Sequence, residues 1–143
     1  MVSIAIGADH GGYNLKEKIK PLVKANWIDV GTDNEESCNY AKYAKEVAKK
    51  IQRGEANFGI LICKSGIGVS IAANRYKNVY AALCFNKAMV KSARTHNNAN
   101  VLCLAADYIT LEEAIQMIEL FLVTEFEAGG RHEFRVNSID LPN

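Results

Sequence analysis

A nine-residue segment places a cysteine, a lysine, a serine and two glycines at the end of an apolar run. It reads Ile-Cys-Lys-Ser-Gly-Ile-Gly-Val-Ser and covers residues 62–70. Glycines at a strand-to-helix turn let backbone N–H groups approach an anion. A cysteine there, with Lys64 beside it, can have its pKa lowered from about 8.5 toward neutrality, so that thiolate is available as nucleophile or base. The segment indicates a phosphate-binding turn, a reactive Cys63, or both.

This turn lacks the fingerprints of nucleotide-binding and phosphatase loops. Ile71 stands where GxGxxG requires its third glycine, and the phosphate-loop order glycine-lysine-serine is absent. A cysteine phosphatase would need an arginine six residues after Cys63, where Val69 stands. Two simpler interpretations stay open: a tight turn whose glycines only satisfy backbone geometry, and a buried, unreactive thiol. The latter is our interpretation of Cys84 and Cys103, which lie in apolar strands.

Polar residues elsewhere in the chain could serve the same crevice. Asp9 and His10 follow the first predicted strand, where His10 could hold a phosphate and Asp9 could bind a sugar hydroxyl or cap the next helix. His96 is either a solvated helix-end histidine or an acid–base group near pH 7. Arg131 and Arg135 fall on one face if a helix follows the last glycine pair, and could clamp a phosphate or simply be solvated. All of these residues stand at positions that could line a single crevice, and this is stronger evidence for a binding site than any one residue alone.

Short β-rich runs alternate with helical patterns along the whole chain. Strands are predicted at 2–6, 27–31, 58–63, 79–84 and 100–105. Helical spacing covers 15–23 and 40–51, and Thr110 with Glu113 forms a capping-box pattern that opens a helix through about Val123. This alternation predicts an α/β fold with a parallel sheet. Ligands of such sheets bind beyond the carboxyl ends of the strands, in the loops that enter the following helices.

Composition and cysteine usage exclude several classes of protein. Apolar residues make up 49% of the 143 residues and charged residues 23%, which is the balance of a globular protein, and residues 1–143 are predicted to form a single domain. A formal charge of +1 without a basic cluster argues against a nucleic-acid partner. The apolar runs are too short for a signal peptide or a membrane span. Four scattered cysteines are interpreted as reduced thiols in a cytoplasmic protein, and three scattered histidines form a metal site only if the fold gathers them.

Five ordered motifs resemble those of the ribose-5-phosphate isomerase B / galactose-6-phosphate isomerase family over essentially the whole chain. They lie at 4–12, 59–75, 96–102, 124–127 and 129–136. The resemblance implies a Rossmann-like three-layer α/β/α domain with a mostly parallel five-stranded sheet and a C-terminal helical extension. It also implies a homodimer or a dimer of dimers with shared active sites, and no metal or organic cofactor. The implied reaction interconverts ribose 5-phosphate and ribulose 5-phosphate.

The resemblance also implies roles for individual residues. Cys63 matches the base that moves a proton between C1 and C2 through a cis-enediolate, and Ser65 matches a threonine that orients this intermediate. His96, with Asp9, matches the group that assists opening of the furanose ring. His10, Arg131 and Arg135 match phosphate ligands, Asn97 matches a contact to the sugar, and Tyr40 matches a tyrosine that lines the pocket. The turn amides that match stabilisers of the intermediate's oxygens include those of Lys64, Gly66, Ile67 and Gly68.

Two departures from the family pattern bear on the substrate. Lys64-Ser65 stands where the family has glycine-threonine, and Asp107 stands where it has a phosphate-contacting arginine. A carboxylate repels phosphate, so Asp107 must turn away, a nearby cation must compensate, or the phosphate must sit elsewhere. The alternatives to the pentose reaction are isomerisation of a six-carbon phosphosugar, such as allose or galactose 6-phosphate, and a phosphosugar-binding module that has lost catalysis.

Overall fold

A computed structural model of the protein describes residues 1–142 and contains a five-stranded sheet with six helices. The strands are β1 (Ser3–Ala8), β2 (Asn26–Gly31), β3 (Phe58–Cys63), β4 (Ala81–Leu83) and β5 (Val101–Ala105). The helices are α1 (Tyr13–Ile19), α2 (Tyr40–Gln52), α3 (Ile67–Ala73), α4 (Lys87–Thr95), α5 (Leu111–Val123) and α6 (Arg131–Ser138). All strand pairs are parallel, in the order β2-β1-β3-β5-β4.

The sheet is covered on both faces because successive residues of a strand point to opposite sides. Ile4 and Ile6 of β1 pack in a core with residues of α1, α4 and α5, while Ala5 packs in a second core with residues of α2 and α3. Strands buried on both faces have continuous apolar sequences, which is why the sequence pattern located them. The predicted three-layer α/β/α arrangement, parallel five-stranded sheet and C-terminal helix are confirmed.

The ends of the elements follow local sequence signals. The side-chain oxygen of Thr110 accepts the Glu113 N–H at 3.1 Å and Glu113 Oε1 accepts the Thr110 N–H at 3.0 Å, so the predicted capping box opens α5. The helix predicted for 15–23 ends earlier, at Ile19: Lys20 keeps helical backbone angles, but Pro21 follows and has no N–H to continue the hydrogen bonds of the helix. The strand predicted for 79–84 is only three residues long, and it pairs with β5 alone at the sheet edge.

A buried lysine joins α1 to β2. The side chain of Lys16 is 1% exposed, and its Nζ lies 2.6 Å from Asp29 Oδ2 and 2.7 Å from Glu17 Oε2. Lys20 Nζ reaches the same Asp29 oxygen at 2.5 Å. Burial raises the pKa of the Asp29 carboxyl, but hydrogen bonds from Lys16 and Lys20 outweigh burial, so that this pKa is lowered on balance. The network thus ties α1 to β2, which pairs with β1 in the sheet.

Among residues 1–142, no helix combines the length and the hydrophobicity that crossing a lipid bilayer requires.

Candidate active site

Two loops meet at the carboxyl edge of the sheet, one after β1 and one after β3. Ala8 pairs with Ile62 in the register of these strands, so Asp9 and Cys63 follow as neighbours. Asp9 is buried, and its Oδ1 accepts the N–H groups of Gly11 at 2.9 Å and Gly12 at 3.3 Å. Asp9 therefore orders its own loop and does not occupy the N-cap position of α1, which is Gly12.

The thiol of Cys63 lies inside the turn that follows β3. Cys63 is buried, and the Gly66 N–H donates to its Sγ at 3.1 Å. Gly66 has a φ of 74°, and a Cβ at this position would lie 2.5 Å from Leu83 Cδ1 and 3.2 Å from the Leu104 backbone. Only glycine meets both conditions without displacing a neighbour. The glycine thus brings an amide donor to the sulfur, as stabilisation of a thiolate requires.

The amides of this turn are partly occupied by its own side chains. The Ile67 N–H donates to Ser65 Oγ at 3.2 Å, just as the Gly66 N–H donates to sulfur. The sequence predicted a run of free N–H groups. In this turn, the thiol and hydroxyl accept the N–H groups of Gly66 and Ile67, so that those of Lys64, Ser65 and Gly68 have no acceptor within residues 1–142 and are left for a ligand.

His10, Tyr40 and Lys64 lie around the same turn. The Cys38 N–H donates to His10 Nδ1 at 3.3 Å, so in the neutral ring the proton is on Nε2, which can donate to an anion. The Tyr40 ring covers Gly68, since a Cβ there would lie 2.6 Å from Tyr40 Cε1. The stem of Lys64 lies against Gly11, so it crosses from the β3 turn to the β1 loop. Sequence reasoning did not single out Cys38, whose backbone sets the tautomer.

Asp107 also lies at this edge, beside Lys64. Its N–H donates to the Lys64 carbonyl oxygen at 3.0 Å, as β5 continues past β3. The Asp107 side chain is exposed, and neither it nor Lys64 forms an ion pair within the described part of the chain. The lysine that replaces the family's glycine is therefore adjacent to the aspartate that replaces its arginine.

His96 and Asn97 lie at the opposite, amino edge of the sheet. Helix α4 follows β4 and runs back to the start of β5, and His96 is the residue that ends it. The Asn100 N–H donates to the Tyr80 carbonyl oxygen at 3.0 Å, which joins the segments just before β5 and β4. The expectation that this segment sits with the loops after β1 and β3 is wrong within one chain, because a helix that connects parallel strands must return to their amino ends.

Helix α6, with Arg131 and Arg135, lies at this same amino edge. The Asn78 N–H, just before β4, donates to Asp140 Oδ2 beyond α6 at 2.8 Å. At the other end of α6, the rings of His132 and His96 stack with centroids 4.2 Å apart and planes inclined by 14°. The predicted C-terminal helix thus carries its two arginines next to His96.

The predicted site residues therefore form two groups, which we call the thiol group and the histidine group. The thiol group comprises Asp9, His10, Tyr40, Lys64, Ser65 and the turn around Cys63. The histidine group comprises His96, Asn97, Arg131 and Arg135. The two edges are separated by the length of a strand, roughly 16 Å for the five residues of β5.

The other cysteines have the environment of small core residues. All four cysteines are free. Burial raises the pKa of Cys84 to about 11, and burial also raises the pKa of Cys103, which lies wholly inside the sheet. Both thiols therefore stay protonated and unreactive at neutral pH, as the sequence indicated.

One cluster among the described residues has the donor types of a metal site. One ligand atom each from His96, Glu127 and His132 lies within 4.8 Å of the others. His132 and Glu127 were not among the predicted site residues, although both lie in the quoted motifs at 124–127 and 129–136. The signal that could have found His132 is its position between the predicted ligands Arg131 and Arg135; the motif at 124–127 contains no predicted ligand, so no such signal marked Glu127.

Comparison with known proteins defines the class. Residues 4–139 match the sequence model of a family described as Ribose/Galactose Isomerase, so the chain belongs to this family and is an isomerase. Ribose-5-phosphate isomerase B of Escherichia coli is 39% identical over 142 residues, covering 97% of this chain and 95% of the relative. The protein is thus a sugar phosphate isomerase.

Solved structures agree in fold over nearly the whole chain. A ribose 5-phosphate isomerase of Thermotoga maritima is 48% identical, with a TM-score of 0.94 and 97% coverage of both chains. Ribose-5-phosphate isomerase B of Mycoplasma genitalium, solved with bound ribulose-5-phosphate, is 39% identical with a TM-score of 0.90, covering 96% of this chain and 93% of that one.

Proposed function

We propose that the protein interconverts ribose 5-phosphate and ribulose 5-phosphate, with Cys63 as the base. The observation that carries this proposal is the amide of Gly66, which donates to Cys63 Sγ at 3.1 Å beside the buried Asp9. A thiol that accepts a backbone N–H at the mouth of a parallel sheet is placed for proton transfer to a bound ligand. The names of the Escherichia coli and Mycoplasma genitalium relatives support the choice of substrate.

In the proposed reaction, one carbon-bound proton moves between adjacent carbons. The Cys63 thiolate removes the proton from C2 of the open-chain aldose, and the electron pair moves through C1 to the carbonyl oxygen. The resulting cis-enediolate takes the proton back at C1, while the O2 proton passes to O1, so the product is the ketose. Ser65 and the free N–H groups of Ser65 and Gly68 hold the two oxygens.

The remaining predicted residues bind and open the cyclic substrate. His96, with Asp9, moves the proton between the ring oxygen and O1 when the furanose opens. His10 Nε2–H, Arg131 and Arg135 hold the phosphate, Asn97 contacts the sugar, and Tyr40 lines the pocket. The proposed chemistry uses side chains and backbone amides alone, without a metal or organic cofactor.

Two copies of the chain are needed to assemble this set of residues. The thiol and histidine groups lie at opposite edges of one sheet, roughly 16 Å apart, which is too far for one sugar phosphate to bridge within a single chain. We therefore propose a homodimer, or a dimer of dimers, in which the histidine group of one copy faces the thiol group of another. A cytoplasmic location, with no nucleic-acid or membrane partner, stays a prediction.

The first test separates proton transfer from ring opening. Cys63→Ala should lower kcat/KM for ribose 5-phosphate by about 100- to 10,000-fold, the usual contribution of a general base, with an unchanged unfolding transition. Cys84→Ala, which removes a buried thiol elsewhere, is the matched control and should keep its turnover. His96→Gln should also lose this reaction, but should still exchange deuterium from D2O into C1 of ribulose 5-phosphate, which has no furanose ring to open. Undiminished turnover in Cys63→Ala would rule out the mechanism.

The second test addresses the shared site. Cys63→Ala and His96→Gln chains, refolded together, should form mixed dimers in which one of the two sites has both native residues. Half of randomly formed dimers are mixed, so about a quarter of the wild-type sites should return. Each variant refolded alone should stay inactive. If the mixture is no more active than its components, the two groups do not meet across an interface.

A six-carbon phosphosugar is the second candidate substrate, since the matched family is described by both ribose and galactose. Lys64 and Asp107 change the charge beside the turn, which bears on how a longer substrate would place its phosphate. The kcat/KM values for ribose 5-phosphate, allose 6-phosphate and galactose 6-phosphate decide between them. A larger value for either hexose phosphate would replace the pentose assignment while keeping Cys63 as base.

A further inference from the structure

The stacked pair His96–His132 gives an exposed histidine a fixed orientation. His96 is exposed, and within residues 1–142 its ring has no hydrogen bond, so the ring of His132 at 4.2 Å is the contact that restrains it. We propose that His132 is a positioning residue, which holds the His96 ring for proton transfer to the sugar. This inference rests on the proposed function, in which His96 opens the furanose ring.

The surrounding backbone holds His132 firmly. Its side chain is 18% exposed, and its Nε2 lies 4.0 Å from Glu127 Oε2. The Glu127 N–H donates to the Thr95 carbonyl oxygen at 3.0 Å, which ties this segment to the last turn of α4. The Gly129 N–H donates to Glu133 Oε2 at 2.9 Å, which fixes the entry into α6. The segment that leads to His132 is therefore tied to the last turn of α4, which ends at His96.

Burial and the neighbouring positive charges favour the neutral form of the His132 ring. Burial lowers the pKa of His132, and the positive charges of His96, Arg131 and Arg135 lower it further, while Glu127 acts in the opposite direction. These groups come from α4, from α6 and from the segment before α6. A neutral ring can stack on His96 whether or not His96 carries a proton, so it restrains the orientation through the whole proton-transfer cycle.

The same three side chains have the donor types of a zinc site, but the ring geometry favours stacking. A metal ion lies in the plane of each imidazole that binds it, along the nitrogen lone pair. The two rings are inclined by only 14° and are stacked 4.2 Å apart, so their lone pairs lie in two nearly parallel planes that share no point near both rings. One ion cannot satisfy both nitrogens unless a ring turns out of the stack.

The test uses two substitutions at one position. His132→Ala removes the stack and should lower kcat for ribose 5-phosphate by about 10- to 100-fold, the usual effect of a misplaced catalytic group. The KM should change less, and deuterium exchange into ribulose 5-phosphate should persist. His132→Phe keeps a flat ring and should restore most of the lost kcat. Asn137→Ala, an exposed position on α6, is the control and should retain wild-type kcat.

A second readout is independent of activity. In NMR titrations, His96→Gln should raise the pKa of His132, because one of the positive charges that lower it is gone. The His96 ring protons should lose their ring-current shift in His132→Ala and regain it in His132→Phe. Full kcat in His132→Ala, or no recovery in His132→Phe, would overturn the proposal. A wild-type protein that shows the NMR coupling but does not isomerise ribose 5-phosphate would refute the proposed function and leave the stack established.

Discussion

Replacing Gly66 by alanine tests whether the turn around Cys63 depends on a backbone that only glycine allows. The φ of 74° costs an alanine about 1–2 kcal/mol. Its Cβ would also meet Leu83 Cδ1 at 2.5 Å and the Leu104 backbone at 3.2 Å, and overpacking of this kind costs about 1–3 kcal/mol. The lower entropy of the unfolded variant chain returns about 0.4–1 kcal/mol. The free energy of unfolding should therefore fall by about 1–4.5 kcal/mol, a large part of the stability of a domain.

Gly54 provides a matched control. It has a φ of 71°, and nothing lies within 4 Å of a Cβ built there. Gly54→Ala should thus be destabilised only by its backbone conformation, and the lower entropy of the unfolded variant chain offsets part of this cost. The free energy of unfolding should fall by about 1 kcal/mol or less. Urea unfolding with unchanged m-values would measure both variants. If the two losses are equal, the steric argument at Gly66 is wrong.

The same substitution should affect activity beyond its effect on stability. The positive φ and the contact with the Leu104 backbone both favour a shift of the residue 66 backbone in the variant, and its N–H is the donor to Cys63 Sγ at 3.1 Å. Under conditions where Gly66→Ala is fully folded, kcat should fall while Gly54→Ala keeps wild-type kcat. A folded Gly66→Ala with normal kcat would show that this amide does not support the base.

Three further predictions follow from the burial and charge of individual residues. Asp29→Asn leaves Lys16 with Glu17 alone and should lower the free energy of unfolding by about 2 kcal/mol at pH 7. Because the pKa of Asp29 is lowered in the folded protein, the stabilisation by Asp29 is present above about pH 4 and is lost as the pH falls further. Urea unfolding at several pH values should therefore show that acid destabilises the variant less steeply than the wild type. At pH 8 a thiol reagent should leave Cys84 and Cys103 unmodified until the protein is unfolded, and rapid native labelling of either would contradict their burial. Lys64→Met keeps the aliphatic stem of the side chain over Gly11 and removes its charge. A raised KM for sugar phosphates, with normal stability, would show that the Lys64 ammonium contacts the substrate. An unchanged KM would exclude this contact.

The sequence predicted the sheet because its strands are apolar on both faces, and it predicted α5 because Thr110 and Glu113 form a capping box. It located Cys63 and Asp9 at strand ends, where the structure has them. It grouped His96 with the loops after β1 and β3, although the parallel sheet that it predicted requires a connecting helix to end at the amino edge. The stack of His132 on His96 was also missed, since it depends on how α6 packs against α4.

In the proposed shared site, the distance between the thiol group and the histidine group makes enzyme activity depend on the concentration of the protein itself. If each site needs both groups, a single chain is a folded protein with a thiol and no complete catalytic centre. Specific activity should then fall on dilution, at concentrations near the dissociation constant of the dimer, without any unfolding. A chain newly released from the ribosome would stay catalytically silent until it meets another, so the amount of active enzyme would rise more steeply than the amount of protein made.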